Sequence, residues 1–474
     1  MTLRAPHAAL LLSGLVALLG CGGPEPVDPV QPRDPEGMAP LVGELVRQTI
    51  AQVEARPDSA ELHGRLGLVY EANAMQREAA EAYSVAIQLD PSKPVWTLRR
   101  GITLLSLSET EEGRRLILEC EQRMPESAAV HHRIGYMHLD DGDPEAALES
   151  FRVASALGWA AAQPFIQTSI GEALAAGGDA EAALEPLEQA LEGAPTYKVA
   201  HYAYGLALRD LGRMEEAERE LQLGLDAERV LVPDNSDSEI ADLKRGFADM
   251  LQRAEDEAIK GNPGRAKRIF EDLLRAFPGD PIVLNNYAGV YLTEGDWEQG
   301  LALIDQALEG GSRQFGLFVN RSRALRGLGK LVESRAAADT AIGISPEIFE
   351  GHMERARTCL SQRDLVNARE SLRRAIALND EDPSAYLMLA EVCTRLGFVG
   401  EACAGFERVT ELRPGLLPPR VNAARLYLEA GQLANAERAL RGAEEIAPAF
   451  DAEAQERVRL LRAKLETQRN GGAR

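Results

Sequence analysis

An internal repeat constrains this chain more than any other feature. Gly67, Gly101, Gly135, Gly171 and Gly205 recur at a nearly even spacing, each inside an apolar helical pattern. Twelve residues after them come Ala79, Gly113, Ala147, Ala183 and Ala217, and four further on the larger Tyr83, Ile117, Phe151, Leu187 and Leu221. Ala86, Cys120, Ala154, Ala190 and Gly224 follow, and Pro91, Pro125 and Pro195 close three of the units. A period of roughly 34 residues marks a repeat architecture, in which each unit buries its faces only against its neighbours. The small residues let two helices approach, and the prolines stop a helix because they lack an amide hydrogen and disfavour helix in the residue before them.

The second half keeps the period with alanine in the glycine place. Units are placed at 247–280, 281–314, 315–348, 349–382, 383–416 and 417–450, after units starting at 60, 94, 128, 164 and 198. Ala266 with Phe270, Ala402 with Phe406, and Ala436 with Ala443 carry the pattern; Pro278, Pro414 and Pro448 close units. The 315–348 unit is the weakest, since Ser322 and Ser334 hold the two small-residue places and Ala338 the large one. The clearest unit, "ELHGRLGLVYEANAMQREAAEAYSVAIQLDP" at 61–91, has Leu66, Gly67, Tyr70, Ala79, Tyr83, Ala86 and Pro91 at the spacings of the tetratricopeptide repeat family, which the chain resembles over residues 60–450. The resemblance implies an all-α fold, a right-handed α-solenoid superhelix of about eleven helix-turn-helix units.

The remaining segments complete a domain plan. "AALLLSGLVALLG" at 8–20 is too short to span a bilayer, where ~20 apolar residues are needed, and reads as the core of an export signal over 1–20. Leu18-Leu19-Gly20-Cys21 resembles a bacterial lipoprotein signal, which implies cleavage before Cys21, its lipidation and an envelope location facing the periplasm. Gly22 in place of aspartate points to the outer membrane. Residues 21–37, with five prolines, read as an extended tether. A capping helix is expected at 38–59, a first arm of five repeats at 60–231, an inter-arm connection at 232–246, a second arm of six repeats at 247–450 and a capping helix with tail at 451–474. "LVPDNSDSE" at 231–239 reads as a polar turn cluster between the arms.

Catalytic and metal readings find little support. Three of the seven histidines lie in "HHRIGYMH", residues 131–138, but no pair of them has the three- or four-residue spacing that lets one helix hold a metal. His131 and His138 fall at packing places of the repeat. Phosphate-loop, nucleophile-elbow and zinc-protease motifs are missing, and "DDGD" at 140–143 lacks the twelve-residue calcium-loop pattern. No cofactor and no enzymatic activity are expected. The net charge of −22 argues against nucleic acid as a partner. Cys393 and Cys403 lie on the two helices of one hairpin, and a bridge between them and buried free thiols are both open readings.

The family resemblance implies that the first helices of the units line a groove that contacts a peptide or protein. On this register Arg65, Arg99 and Arg133 form a row, one per repeat, joined by His132, Tyr136, Tyr202 and Arg209. Such arginines clamp carboxylates in bidentate fashion. In the second arm Asn286, Asn320 and Asn422 form one row and Arg323, Arg357 and Arg425 another, a partial similarity to the carboxylate-clamp members, with Glu354 interrupting the row. The resulting expectation is a lipid-anchored, non-catalytic scaffold for protein or peptide partners, in secretion, pilus or cell-wall complexes. The alternatives are a glycan-binding module of a polysaccharide secretion system, resting on Tyr136 and Tyr202, and a non-catalytic subunit of an envelope enzyme complex.

Overall fold

The computed structural model describes residues 26–471. The predicted leader and Cys21 lie outside them. All regular structure among the described residues is helical, and no helix there is long and apolar enough to cross a membrane. Two compact units divide between Asp249 and Met250.

In the first unit the helix Pro40–Ala55 precedes five hairpins. Hairpin 1 pairs Ala60–Ala72 with Gln76–Leu89, hairpin 2 pairs Pro94–Ser106 with Thr110–Arg123, and hairpin 3 pairs Ala128–Asp140 with Pro144–Leu157. Hairpin 4 pairs Gln163–Ala176 with Ala180–Gly193, and hairpin 5 pairs Lys198–Asp210 with Met214–Leu223. A short helix, Asn235–Leu243, follows. Hairpin 6, Phe247–Ile259 with Pro263–Ala276, leads into the second unit. Hairpins 7 to 9 begin with Pro281–Glu294, Phe315–Gly327 and Phe349–Ser361; hairpins 10 and 11 begin with Pro383–Leu396 and Leu417–Glu429. The helix Ala452–Gly471 ends the described chain, and the fold is an all-α solenoid of eleven helix-turn-helix units.

Each hairpin is closed by the place that the periodic glycine occupies. A Cβ built on Gly67 would lie 2.5 Å from the Tyr83 ring, on Gly135 2.4 Å from Phe151, and on Gly171 2.4 Å from Leu187. The large residue of the second helix thus rests on the bare backbone of the first within the same hairpin. The weak 315–348 unit closes differently. Ser322 Oγ donates to the Ser334 carbonyl at 2.8 Å, Ser334 Oγ lies 2.8 Å from the Ser322 carbonyl and from Thr358 Oγ1, and all three side chains are fully buried. Hydroxyls satisfied on both helices replace the glycine-on-ring contact, so a polar pair holds the same close approach.

Four histidines share a second recurring device. His63, His131, His201 and His352 each place Nε2 2.9–3.1 Å from the carbonyl of a proline six residues earlier, Pro57, Pro125, Pro195 and Pro346. The ring ties the inter-hairpin loop to the helix that follows it. This gives His131 a packing and loop-holding place, while His138 is half-buried.

Residues 27–33 depart from the expected free tether. Val27 N–H donates to the Pro57 carbonyl at 3.2 Å, and the buried Tyr70 hydroxyl donates to the Val30 carbonyl at 2.6 Å. The extended, proline-rich stretch leaves its carbonyls unpaired, and a buried phenol needs an acceptor. The four cysteines among the described residues are buried free thiols, so Cys393 and Cys403 are not bridged.

Substituting Gly135 by alanine should lower stability by about 1–3 kcal/mol, because Phe151 has nowhere to move without disturbing the core. Gly289, with nothing within 4 Å of a built Cβ, should gain ~0.5–1 kcal/mol on the same change. Urea unfolding of both variants checks the pair; a Gly135→Ala midpoint equal to that of the natural chain would contradict the packing described.

Candidate interaction surfaces

The first unit uses its first-helix face for a segment of its own chain. After hairpin 5 the chain turns back and runs along the first helices in reverse order. Val230 N–H donates to Tyr197 Oη at the start of hairpin 5, at 3.2 Å. Arg229 lies over the Tyr136 ring at 4.0 Å and near Glu172. Val232 is fully buried among Ala128, Ala129, Ala154 and Ile166 of hairpins 3 and 4. Its N–H donates to His132 Nδ1 at 3.3 Å, and its carbonyl accepts from Arg133 at 2.9 Å. At hairpin 1, Asn73 donates to the Leu243 carbonyl at 3.2 Å and accepts from Arg245 N–H at 2.9 Å. The "polar turn cluster" is therefore a docked extended stretch followed by a helix. Asp234 and Asp237 form a capping box that starts the helix Asn235–Leu243.

Arg99 is the centre of this contact. Its guanidinium is 3% exposed and meets three carboxylates: Glu71 of hairpin 1, Asp234 at 3.2 Å and Asp237 at 2.8 Å. Glu71 also accepts from Tyr83 Oη at 2.6 Å. Arg65 pairs with Glu239 at 3.3 Å, and Arg133 lies 3.9 Å from Asp237. Thus the row Arg65, Arg99 and Arg133 does face one side and does take carboxylates, but those of residues 234–239. The expected open groove is filled here, because a row of cations on an apolar face is neutralised by the acidic segment that follows it. Tyr136 and His132 are buried beneath the same segment. Tyr202 and Arg209 are exposed and stand apart from it, Arg209 pairing with Asp210 at 3.2 Å.

His132 is held neutral. Its Nε2 lies 2.9 Å from Ser169 Oγ, which also lies 2.7 Å from Tyr136 Oη, and Tyr136 donates to Glu172 at 2.8 Å. Burial, then the cations Arg133 and Arg229, push the imidazole pKa down to about 3. A proton on Nδ1 would face the Val232 N–H.

The second unit has an unfilled counterpart. A cleft of about 810 Å3 is lined by Ile259, Asn285, Asn286, Val290, Asn320 and Arg323, among others. Asn320 donates to Asn285 at 3.0 Å, Asn285 lies 3.4 Å from Asn286, and Asn286 donates to Glu255 at 2.5 Å. This amide chain crosses the first helices of hairpins 6, 7 and 8. The half-buried side chain of Arg323 makes no ion pair or hydrogen bond among the described residues. Asn285 was not in the sequence-derived row; its adjacency to Asn286 and its offset of one from the repeat place were the signal. Arg357 lies outside this cleft and pairs with the buried Glu354 at 3.3 Å, as does Arg326 at 3.1 Å. Asn422 and Arg425 sit on hairpin 11, where Arg425 pairs with Glu429 at 3.0 Å. No group of three or more His, Cys, Asp or Glu side chains among the described residues could hold a metal.

Family models described as tetratricopeptide repeat match residues 174–244 and 258–311, 319–383, and 417–441. No curated protein matches the chain significantly. Among solved structures, YrrB, described as a TPR protein with an unusual peptide-binding site, is 23% identical over 39% of this chain and 94% of its own, with a TM-score of 0.34. TTC0263, a thermophilic TPR protein of Thermus thermophilus, is 25% identical over 39% of this chain and all of its own, with a TM-score of 0.34. PilW, described as a type IV pilus biogenesis factor, is 19% identical over 44% of this chain and 97% of its own, with a TM-score of 0.40.

The depressed pKa of His132 sets a sign for acid stability. The unfolded chain takes up this proton near pH 6.5 and the folded chain only near 3. Stability from neutral His132 is therefore whole above pH 6.5 and is lost as pH falls toward 3, by up to about 1.4 kcal/mol per pH unit. Glu172, raised by burial, acts in the opposite direction in the carboxylate range. His132→Gln should therefore lose less stability than the natural chain between pH 7 and pH 5, by roughly 1–2 kcal/mol in urea unfolding. Equal losses would contradict the neutral assignment.

Proposed function

Because this chain belongs to the tetratricopeptide-repeat family, we propose that it is a non-catalytic scaffold that captures protein partners through the cleft of its second unit, anchored in the bacterial envelope by a lipid on Cys21. The observation that carries the partner-binding reading is the uncompensated Arg323 beside the Asn320–Asn285–Asn286 amide chain. Each asparagine amide offers a donor and an acceptor to a peptide backbone, and a free guanidinium suits a carboxylate on the same ligand. Ile259 and Val290 supply apolar wall for a side chain between these polar groups. The ligand is thus an extended peptide with a carboxylate near Arg323. The anchor reading rests on the apolar run, Gly20 and Cys21 in order, which gives a body facing the periplasm, and Gly22 in place of aspartate favours the outer membrane. A role in assembling a secretion, pilus or cell-wall complex rests on that location together with the partner-binding cleft.

Two outcomes test these points separately. Asn320→Ala with Arg323→Ala should cut recovery of crosslinked partners from cells by roughly ten-fold or more while helicity is unchanged; undiminished recovery removes the cleft as the binding site. Cys21→Ser should move the protein from the membrane to the soluble fraction, and retention in the membrane would remove the lipid anchor.

A further inference from the structure

We propose that the first-helix face of hairpins 1 to 3 is a binding site for an acidic peptide, and that residues 229–243 are its resident ligand, displaced by a partner segment of the same chemistry. This rests on the reading of the chain as a partner-binding scaffold but concerns the other unit, with its own residues.

The contact is built like a recognition interface. Three carboxylates of the segment, Asp234, Asp237 and Glu239, meet Arg99, Arg133 and Arg65, cations that occupy one equivalent place in three successive hairpins. Two apolar anchors bracket them: Val232 is buried between hairpins 3 and 4, and Leu243 against hairpin 1. Backbone groups are read as well, since the Val232 N–H meets His132 and its carbonyl meets Arg133. Charge complementarity of this kind fixes register and speeds encounter more than it adds raw affinity.

Each hairpin has apolar contacts to the next that the segment does not supply: Ala80 with Leu104 and Leu116 joins hairpins 1 and 2, and Tyr136 and Phe151 with Ala173 join hairpins 3 and 4, where Val232 adds only to a second cluster. The apolar cluster joining hairpins 2 and 3, around Leu98, Ile117, Val130 and Ile134, contains no residue of it. Neither does the cluster of Ala183, Leu187, Ala203 and Ala207 joining hairpins 4 and 5. Displacing the segment therefore uncovers a folded face bearing Arg65, Arg99, Arg133 and the Tyr136 ring. A fitting partner presents an apolar residue, then a carboxylate two residues on, with further carboxylates three and five residues after that, as Val232, Asp234, Asp237 and Glu239 do.

The test uses a fluorescent synthetic peptide with the sequence of residues 229–243, titrated into the full natural chain and into a full chain carrying Asp234→Asn and Asp237→Asn. The variant, whose own segment has lost two of its anchors, should bind the peptide roughly ten-fold or more tighter than the natural chain. Adding Arg99→Ala, or changing both aspartates of the peptide to asparagine, should abolish that gain. Equal affinities for variant and natural chain would overturn the proposal. Should the variant fail to fold by circular dichroism, hydrogen exchange on the natural chain decides: the proposal requires amides of 232–243 to exchange through an opening that leaves the first helices of hairpins 1 to 3 protected. Simultaneous exchange of both would overturn it. Asn320→Ala with Arg323→Ala should leave the peptide titration unchanged, so failure of the second-unit cleft and failure of this site are read independently.

Discussion

Every hairpin depends on one steric condition: the eighth residue of its unit has almost no side chain. Where that residue is Gly67, Gly135 or Gly171, a ring or a leucine from the second helix rests on its backbone. Once that contact sets the spacing of the pair, the outer surfaces of the pair are fixed as well, and the next hairpin has one way to stack. The second unit meets the same condition with alanine, as at Ala356 and Ala390, or with the reciprocal hydroxyls of Ser322 and Ser334. The spacing is thus kept by geometry while the chemistry that satisfies it changes.

This explains how much was legible beforehand. Packing residues repeat because the contact repeats, so the helix pairs and their register follow from the order of small and large residues in one dimension. The docked segment does not repeat. Its partners lie 33 to 174 residues away, as in Val230 with Tyr197 and Arg65 with Glu239, and no local pattern joins them. Only the arginine row was read beforehand, by its period; the helix start carried a signal in the Asp234 and Asp237 spacing of a capping box, but the polar, proline-containing stretch around it was read as a turn. Their pairing required coordinates. The histidine-to-proline ties had a plain signal, a proline six residues before each histidine, that is lost when histidines are judged only as ligands. Asn285 was missed for a similar reason, because a row drawn at a single repeat place omits its neighbour in the next.

Burial of Arg99 among carboxylates is a costly way to fill an inner face. Ion pairs removed from water often contribute less than apolar packing of the same volume, and their attested use is to select one arrangement over others. A row of equivalent arginines would accept the segment in several registers. Three carboxylates held by a capped helix, with Val232 and Leu243 at its ends, accept only one. The unfilled cleft of the second unit has the contrary character: a chain of neutral amides and one unpaired cation, open to ligands of varied sequence.

The returning segment also changes what kind of repeat array the first unit is. Solenoids ordinarily assemble from contacts between neighbours, so that folding starts anywhere and spreads, and loss of one end leaves the other intact. Here residues beyond the fifth hairpin touch the first. The unit acquires a long loop to close, which slows the last step of folding and ties its two ends together in stability. During synthesis the first three hairpins emerge well before the residues that line them, and their arginines stay in water until the chain has turned back. The array is built from its beginning, but it is completed from its end.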